Sequence, residues 1–250
     1  EIYTLSLHDA LPILVDEALG LALPGNGTIP AVYSERIRLA KDAGRAIMHL
    51  VEKKIRPRDI VTREALENAF AVDVALGGST NTCLHIPAIA HSAGFEMPLS
   101  QIDAISRRTP HICSMSPGGR YFIADLYRAG GIPAVMSRLM EGNLISGSPV
   151  TVTGTSVAEN IASARVHDDD VIRPLDNPVH KEGGLAVLYG NIAPLGSVVK
   201  QSAVLPEMMR HRGPARVFDG EEAAYEAISS GRIAEGESTK IGRASCRERV

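Results

Sequence analysis

The sequence has little of several features that would point to particular classes of protein. Aromatic residues make up 4% of the 250 residues and tryptophan is absent. No apolar run approaches the roughly 18 to 20 residues that a membrane-spanning helix needs, and the start of the chain lacks the basic region of a secretory signal. The formal net charge of −3 gives no general electrostatic reason to bind nucleic acid or an anionic membrane. We therefore expect a small-molecule partner and a cytoplasmic location, or an organelle matrix in a eukaryote.

Cysteine is scarce as well. Cys83, Cys113 and Cys246 lie far apart and form no C-x-x-C pair, which favours reduced thiols over a disulfide framework. We interpret Cys83 and Cys113 as small buried apolar residues and assign Cys246 no role. The run His167–Asp170 is interpreted as a solvated acidic connection, because consecutive side chains in an extended loop seldom converge on one ion. The other histidines show no metal-binding spacing.

Hydrophobic periodicity predicts alternating helices and short strands. Helices are expected from near Glu17, over 34–54 with Ser34 as cap, from Thr62 to the glycines at 77–78, over 83–93 with burial on most sides, after Ser100, through Leu126, from Pro133, and over 221–229 with Asp219 as cap and Gly231 past the end. Strand-like segments are HICSM (111–115), VTVTG (150–154), LAVLYG (185–190) and SVVK (197–200). The residues LPGNGT (23–28) are typical of a turn. Gly183, Gly184 and Gly190 are interpreted as a bulge and a turn around one strand, or alternatively as sites where a ligand approaches the backbone.

A change along the chain, from helical patterns to strand-like segments separated by turn residues, predicts the domain organisation. Residues 17–165 are assigned to an α/β domain, residues 166–184 to a linker rich in Asp, Pro and Gly, and residues 185–237 to a β-rich domain. The ends, residues 1–16 and 238–250, are left unassigned. Residues 1–13 and 238–250 resemble translated sequencing-adapter sequence, and no regular structure is expected from residue 238 onwards.

Residues 75–90, ALGGSTNTCLHIPAIA, place two glycines and three small polar residues directly before an apolar helical run. Gly77 and Gly78 allow backbone angles that are closed to other residues, and Ser79, Thr80 or Asn81 can cap the following helix. Such a helix start favours anions, because unpaired N–H groups and the positive end of the helix dipole meet there. Most clusters of this composition are simply turns and caps, and the stretch matches no phosphate or dinucleotide loop.

Four segments in order carry a family resemblance. They are EALGLALPGNGTIPA (17–31), ALGGSTNTCLHI (75–86), PGGRYFIADLYRAGGIPAVM (117–136) and RPLDNPVHKEGGLAVLYGNIAPLGSVVK (173–200). Together they resemble the family of dihydroxy-acid and phosphogluconate dehydratases, from about Glu17 to about Glu237. The resemblance implies an α/β fold class: the C-terminal part of a layered α/β N-terminal domain, then the start of a β-rich, barrel-like C-terminal domain.

The resemblance also implies an activity. Members are hydro-lyases that convert 2,3-dihydroxy carboxylic acids to 2-oxo acids in branched-chain amino-acid synthesis, with an iron–sulfur cluster, a Mg²⁺ ion and a serine base, and they are typically homodimers. The family's cluster cysteines, Mg²⁺ ligands and serine base belong to motifs outside the four segments. The resemblance therefore assigns no catalytic or metal-binding residue here, and an inactive internal fragment is expected.

The candidate site is the helix start that remains. The resemblance places Gly78, Ser79, Thr80 and Asn81 on the substrate side of the active-site cleft, with help to the substrate carboxylate as their predicted role. A phosphogluconate or sugar-acid dehydratase is the alternative within the family. A non-catalytic, anion-binding α/β module is the alternative from another class.

Overall fold

The computed structural model describes residues 7–241, with side-chain environments from Ile13 onwards. The chain divides into two compact units, with the division between Ala203 and Val204. Cys246 and the tail from residue 242 lie outside the described residues. The predicted linker at 166–184 and the predicted domain at 185–237 stay predictions for the intact protein.

The first unit is mainly helical. Its helices are α1 (Leu7–Ala18), α2 (Ser34–Lys53), α3 (Pro57–Ile60), α4 (Arg63–Ala75), α5 (Thr82–Ala93), α6 (Leu99–Arg108), α7 (Ile123–Ala129), α8 (Gly131–Glu141) and α9 (Val157–Ile161). Strands β1 (Ala186–Leu188) and β2 (Ser197–Val199) form an antiparallel pair, with Ala186 opposite Val199. A 3₁₀ turn at Gln201–Ala203 ends the unit.

Helix α4 lies at the centre of this unit. Helices α1, α5, α6 and α8 all pack against it, and Phe70 is among the largest fully buried side chains. The N-terminus of α4 is capped as predicted, because the Thr62 hydroxyl accepts a hydrogen bond from the Ala65 N–H at 3.2 Å. Its C-terminus leads directly into the two glycines at 77–78.

Helices α1, α2 and α5 differ from the predictions in detail. Helix α1 ends at Ala18 rather than beginning near Glu17, and Leu14 and Val15 belong to the core. In α2 the N-cap is Tyr33 rather than Ser34, without a side-chain cap bond. Several apolar residues of this helix are exposed: Leu50 is buried, but Ile47 and Val51 are more than half exposed. Helix α5 is buried on one side, through residues that include Ile86 and Ala90, rather than on most sides.

Two predicted strands do not form, because their backbone groups bond to other partners. In 111–115 the N–H groups of Ile112 and Cys113 donate to the carbonyl of Ala75 at the end of α4, which leaves single bridges in place of a ladder. In 150–154 the hydroxyls of Thr151 and Thr153 accept bonds from backbone N–H groups two residues ahead. Side chains that bond to the nearby backbone compete with a sheet.

The second unit contains strands β3 (Ala215–Phe218) and β4 (Ser238–Ile241), with helix α10 (Glu221–Ser229) between them. The strands are parallel, with Ala215 opposite Ser238, so residues 238–241 have regular structure and that prediction was wrong for them. The N-cap of α10 is Gly220 rather than Asp219. Gly231 follows the helix with a φ of +66°, as expected of a residue just past a helix end.

The described chain is therefore a mixture of helix and short strands, which is consistent with the predicted α/β class. Across residues 7–241, no helix combines the length and the apolar character needed to cross a bilayer.

Candidate functional site

The candidate site is the turn between α4 and α5. Gly77 and Gly78 take positive φ angles of 101° and 71°. As predicted, glycines stand where the turn needs backbone angles that other residues avoid. The Gly78 N–H donates to the Asp73 carbonyl at 2.8 Å, which closes the last turn of α4. The chain then reverses into α5 within a few residues.

The four predicted site residues divide into a buried and an exposed pair. Gly78 and Ser79 are buried, whereas Thr80 and Asn81 are exposed. Asn81 occupies the N-cap position of α5 without a side-chain cap bond. The Ser79 hydroxyl instead accepts a hydrogen bond from the Asn81 N–H at 3.2 Å. The predicted capping is therefore corrected: Ser79 holds the turn, and Thr80 and Asn81 face outward.

An internal carboxylate already lies at this helix start. Oδ2 of Asp73 accepts hydrogen bonds from the Thr82 hydroxyl at 2.8 Å and from the Ser79 N–H at 3.3 Å. Asp73 is fully buried, and burial raises the pKa of its carboxyl to about 7, while Thr82, Ser79 and Lys200 act in the opposite direction. Sequence reasoning missed Asp73, although a single acid inside the apolar run AFAVDVAL (69–76) was the available signal.

A second segment, residues 183–202, covers the turn between α4 and α5. The Ser202 hydroxyl donates to the Gly77 carbonyl at 2.8 Å, and a side-chain carbon at Gly184 would lie 1.9 Å from that same oxygen. A side-chain carbon at Gly78 would lie 2.5 Å from Leu185. The favoured interpretation of Gly184 as part of a bulge or turn is therefore corrected, because here glycine permits two stretches of backbone to touch.

His111 lies beside the same turn. Its Nε2 is 2.9 Å from the carbonyl of Cys113, and its Nδ1 is 2.8 Å from Nδ1 of His180. Because a carbonyl can only accept, Nε2 carries the proton in this arrangement and Nδ1 accepts from His180. Burial lowers the pKa of His111 to about 4, with the Cys113 carbonyl opposing and His180 and Lys200 adding to the shift.

The described cysteines, Cys83 and Cys113, are both buried free thiols, and burial raises the pKa of Cys83 to about 12 and also raises the pKa of Cys113. The run His167–Asp170 is exposed, and Asp169 pairs with Arg138 at 2.6 Å. Within residues 7–241, no three His, Cys, Asp or Glu side chains are grouped so that they could hold a metal ion.

Comparison with known proteins gives the family. Residues 13–160 match the model for the dihydroxy-acid/6-phosphogluconate dehydratase N-terminal domain, and residues 170–242 match the model for the C-terminal domain. The chain belongs to the dihydroxy-acid/6-phosphogluconate dehydratase family. The matched residues begin at residue 13, within α1, and end at residue 242, just after β4.

Several bacterial proteins named dihydroxy-acid dehydratase are similar to this family member. The identity is 62% over 225 residues with the protein of Halothermothrix orenii, 59% over 225 residues with that of Moorella thermoacetica, and 60% over 221 residues with that of Desulfatibacillum aliphaticivorans. These matches cover 90%, 90% and 88% of this chain. The chain spans about 41%, 41% and 40% of the length of these relatives.

Proposed function

We propose that the intact protein is a hydro-lyase that dehydrates 2,3-dihydroxy carboxylic acids to 2-oxo acids in branched-chain amino-acid synthesis. The observation that supports this most directly is the match to both family domains in order, with 62% identity to a relative named dihydroxy-acid dehydratase. The names of the relatives favour this substrate class over 6-phosphogluconate, which the family description also includes. The 250-residue chain alone is expected to be inactive.

The metal chemistry of the proposed reaction is assigned to the intact protein. We propose that it contains an iron–sulfur cluster and a Mg²⁺ ion whose ligands lie outside the present chain. A metal acting as a Lewis acid stabilises the charge that develops on a departing hydroxide. The described residues do not fit such ligands, because no three His, Cys, Asp or Glu side chains within residues 7–241 are grouped around one position. The chain's own contribution is therefore structure around the site.

We propose that the turn Gly78–Asn81 lies on the substrate side of the cleft. Its support is geometric: Thr80 and Asn81 are exposed at the start of α5, a helix of 12 residues. The Thr80 hydroxyl and the Asn81 side-chain amide can each donate a hydrogen bond to an anionic group such as the substrate carboxylate. Gly78 and Ser79 are buried beneath, so their proposed role is to shape the turn that presents Thr80 and Asn81.

Three finer features of the intact protein are proposed with the function. The C-terminal domain, predicted to begin at residue 185, is expected to be completed in the intact protein as a barrel-like, β-rich fold. The protein is expected to be a homodimer, and its location is expected to be cytoplasmic. Analytical ultracentrifugation of the complete protein would measure the second of these.

The test of the proposed function uses the complete reading frame, expressed and purified without oxygen. Formation of a 2-oxo acid is followed as its hydrazone, with a branched 2,3-dihydroxy acid and 6-phosphogluconate as competing substrates. We expect kcat/KM to be at least about a hundredfold higher for the branched acid. Since each tenfold corresponds to about 1.4 kcal/mol, this ratio requires about 2.8 kcal/mol of differential transition-state binding. Equal rates, or a preference for 6-phosphogluconate, would contradict the proposal.

A second experiment tests the turn. In the complete protein, replacing Ser79 and Thr80 by alanine is expected to raise KM for the dihydroxy acid by about tenfold, the scale of a lost hydrogen bond to a charged group. Ser92→Ala, an exposed position near the far end of α5, is the matched control. Unchanged turnover and substrate affinity in the double variant would refute a substrate-side role.

A further inference from the structure

Asp73 is a buried acid in an otherwise apolar part of α4. It has no solvent-exposed surface, and moving an unpaired carboxylate out of water costs several kcal/mol. The Ser79 N–H and the Thr82 hydroxyl both bond to Oδ2. Oδ1 is buried and has no hydrogen-bond partner among the described residues. The cost of burying this oxygen must therefore be offset by an interaction other than a hydrogen bond.

Lys200, which follows β2 directly, attracts Asp73 electrostatically but makes no hydrogen bond to it. Nζ of Lys200 is also buried without a hydrogen-bond partner within residues 7–241. Burial lowers the pKa of Lys200 and attraction to Asp73 raises it. Lys200 belongs to the segment that places Gly184 and Ser202 against Gly77. Two buried polar atoms therefore lie beside the same turn, Oδ1 of Asp73 from α4 and Nζ of Lys200 from the segment after β2.

We propose that Asp73 is a positioning residue: its carboxylate fixes the turn Gly77–Asn81 against the start of α5, with Lys200 as its counter-charge. The anion at this helix start is then part of the protein. Its two bonds hold Ser79 and Thr82, which leaves Thr80 and Asn81 between them facing outward. The inference deepens the proposed function, since it relies on that turn being a substrate-side element.

Few titratable groups surround this carboxyl. From α5, the thiol of Cys83 interacts with Asp73, and from the segment after β2, Lys200 does so. His111 is next to the turn and interacts with Lys200. Because the carboxyl loses its proton near neutral pH and burial lowers the pKa of Lys200, the attraction between the two groups is strongest above neutral pH and below the pKa of Lys200.

The first test follows the chain itself by NMR between pH 5 and 9. In the wild-type chain, we expect the amide resonances of Ser79 and Thr82 to shift together with a midpoint near neutral pH. Lys200→Met should raise that midpoint by roughly one unit, because a neighbouring positive charge lowers a carboxyl pKa. Asp73→Asn should abolish the transition. Asp42→Asn, an exposed aspartate on α2, should leave it unchanged.

The outcome of this titration decides the charge pair. Amide resonances of Ser79 and Thr82 that do not titrate in the folded wild-type chain would overturn the proposal, as would a midpoint that Lys200→Met does not move. The wild-type titration needs no substitution, so it remains decisive if a variant fails to fold.

The second test measures positioning in the complete protein. We expect Asp73→Asn to raise KM for a branched 2,3-dihydroxy acid by about tenfold, the scale of one weakened charge-assisted contact, while kcat changes by less than about threefold. Asp42→Asn should alter neither constant. An active wild-type enzyme with unchanged KM in Asp73→Asn overturns the positioning role. An inactive wild-type protein overturns the proposed function instead, and the NMR titration still tests the charge pair.

Discussion

Buried ionisable residues shape two turns of this chain. Glu17 is one of them: its two carboxylate oxygens accept hydrogen bonds from the N–H groups of Gly25 and Gly27, each at 2.7 Å. Burial raises its pKa to about 7, while those bonds and Arg36 lower it. The turn at 23–28 was predicted from its Asn-Gly pair, but the acid that holds it was not. An acid several residues before a turn has no fixed spacing that sequence reasoning could use.

Replacing Glu17 by alanine should destabilise the chain. The N–H groups of Gly25 and Gly27 would lose their acceptor in a buried place, and one such loss costs about 1 to 3 kcal/mol. We expect a fall of about 2 kcal/mol in the free energy of unfolding, measured with urea at pH 6. Glu52→Ala, an exposed position on α2, is the control. A fall below about 0.5 kcal/mol would show that water replaces the carboxylate.

His111 should make the chain less stable in acid. Its pKa is about 4 in the folded chain, below its ordinary 6.5, so the unfolded chain binds the proton more readily between these values. Its contribution to stability is fully present above pH 6.5 and is lost as the pH falls to 4; the full shift corresponds to about 3 kcal/mol.

The measurement compares wild type with His111→Gln in urea at several pH values. The variant lacks this proton, so the difference between the two proteins should change by up to about 3 kcal/mol from pH 7 to pH 4. Asp73 and Glu17 have raised pKa values and act in the opposite direction, but they are common to both proteins. His91→Gln, on the exposed side of α5, should parallel wild type. A constant difference for His111→Gln would contradict the assignment.

At the scale of elements, the helices were largely predictable and several strands were not. Helix α4 follows from local signals, a capping Thr62 and a glycine stop at 77. The segments at 111–115 and 150–154 have strand-like composition, but their bonding partners are the end of α4 and neighbouring threonine hydroxyls. Neither kind of partner leaves a periodic pattern in the chain. The glycine turn was predicted from local signals, as α4 was. The strands β1 and β2 lie within predicted strand-like segments, but the packing of residues 183–202 over the turn was not predicted.

The contact between Gly77 and Gly184 gives a test of this packing. In Gly184→Ala the new carbon would lie 1.9 Å from the Gly77 carbonyl oxygen, so backbone must move. Overpacking typically costs 1 to 3 kcal/mol, and we expect at least about 3 kcal/mol here. Gly190→Ala is the matched control, because its new carbon would meet no atom within 4 Å. Equal urea midpoints for the two variants would contradict the close approach.

Helix α2 offers a change in the opposite direction. Gly44 lies in its interior and is exposed, and an added side-chain carbon there would meet no atom within 4 Å. Alanine favours a helix over glycine by roughly 0.5 to 1 kcal/mol. We expect Gly44→Ala to raise the thermal midpoint of the chain by a few degrees, measured by circular dichroism at 222 nm. A lowered midpoint would mean that Gly44 has a packing role.

At the scale of the whole molecule, the family domains and the compact units divide the chain at different places. The C-terminal family match begins at residue 170, but the first unit extends to Ala203. The bonds from Ser202 to Gly77 and from the Ser106 hydroxyl to the Leu185 carbonyl join the two family regions. The sequence predicts a change from helical to strand-rich segments after residues 166–184. It does not predict that residues 183–202 pack against the first family region, because that packing depends on contacts between residues distant in sequence.

Apolar surface on the described chain leads to a final prediction. Ile37, Ile47 and Val51 on α2 are 64%, 55% and 66% exposed, and Ile47 also lines a groove of about 330 Å³. Exposed apolar patches bind hydrophobic dyes and favour association. We expect the chain to bind the dye ANS, and Ile47→Lys to reduce that fluorescence. Glu52→Gln, at a nearby position on α2, makes the net charge more positive by the same amount and should leave the ANS fluorescence unchanged.

The complete protein provides the comparison, since this chain spans about 41% of the length of its relatives. At equal molarity, the complete protein should show less ANS fluorescence than the chain if other residues cover the face of α2. Ile47→Lys would then have little effect on dye binding by the complete protein and would lower its free energy of unfolding, because a charge would be placed in an apolar contact. Equal dye binding by both proteins would mean that this face is exposed in both.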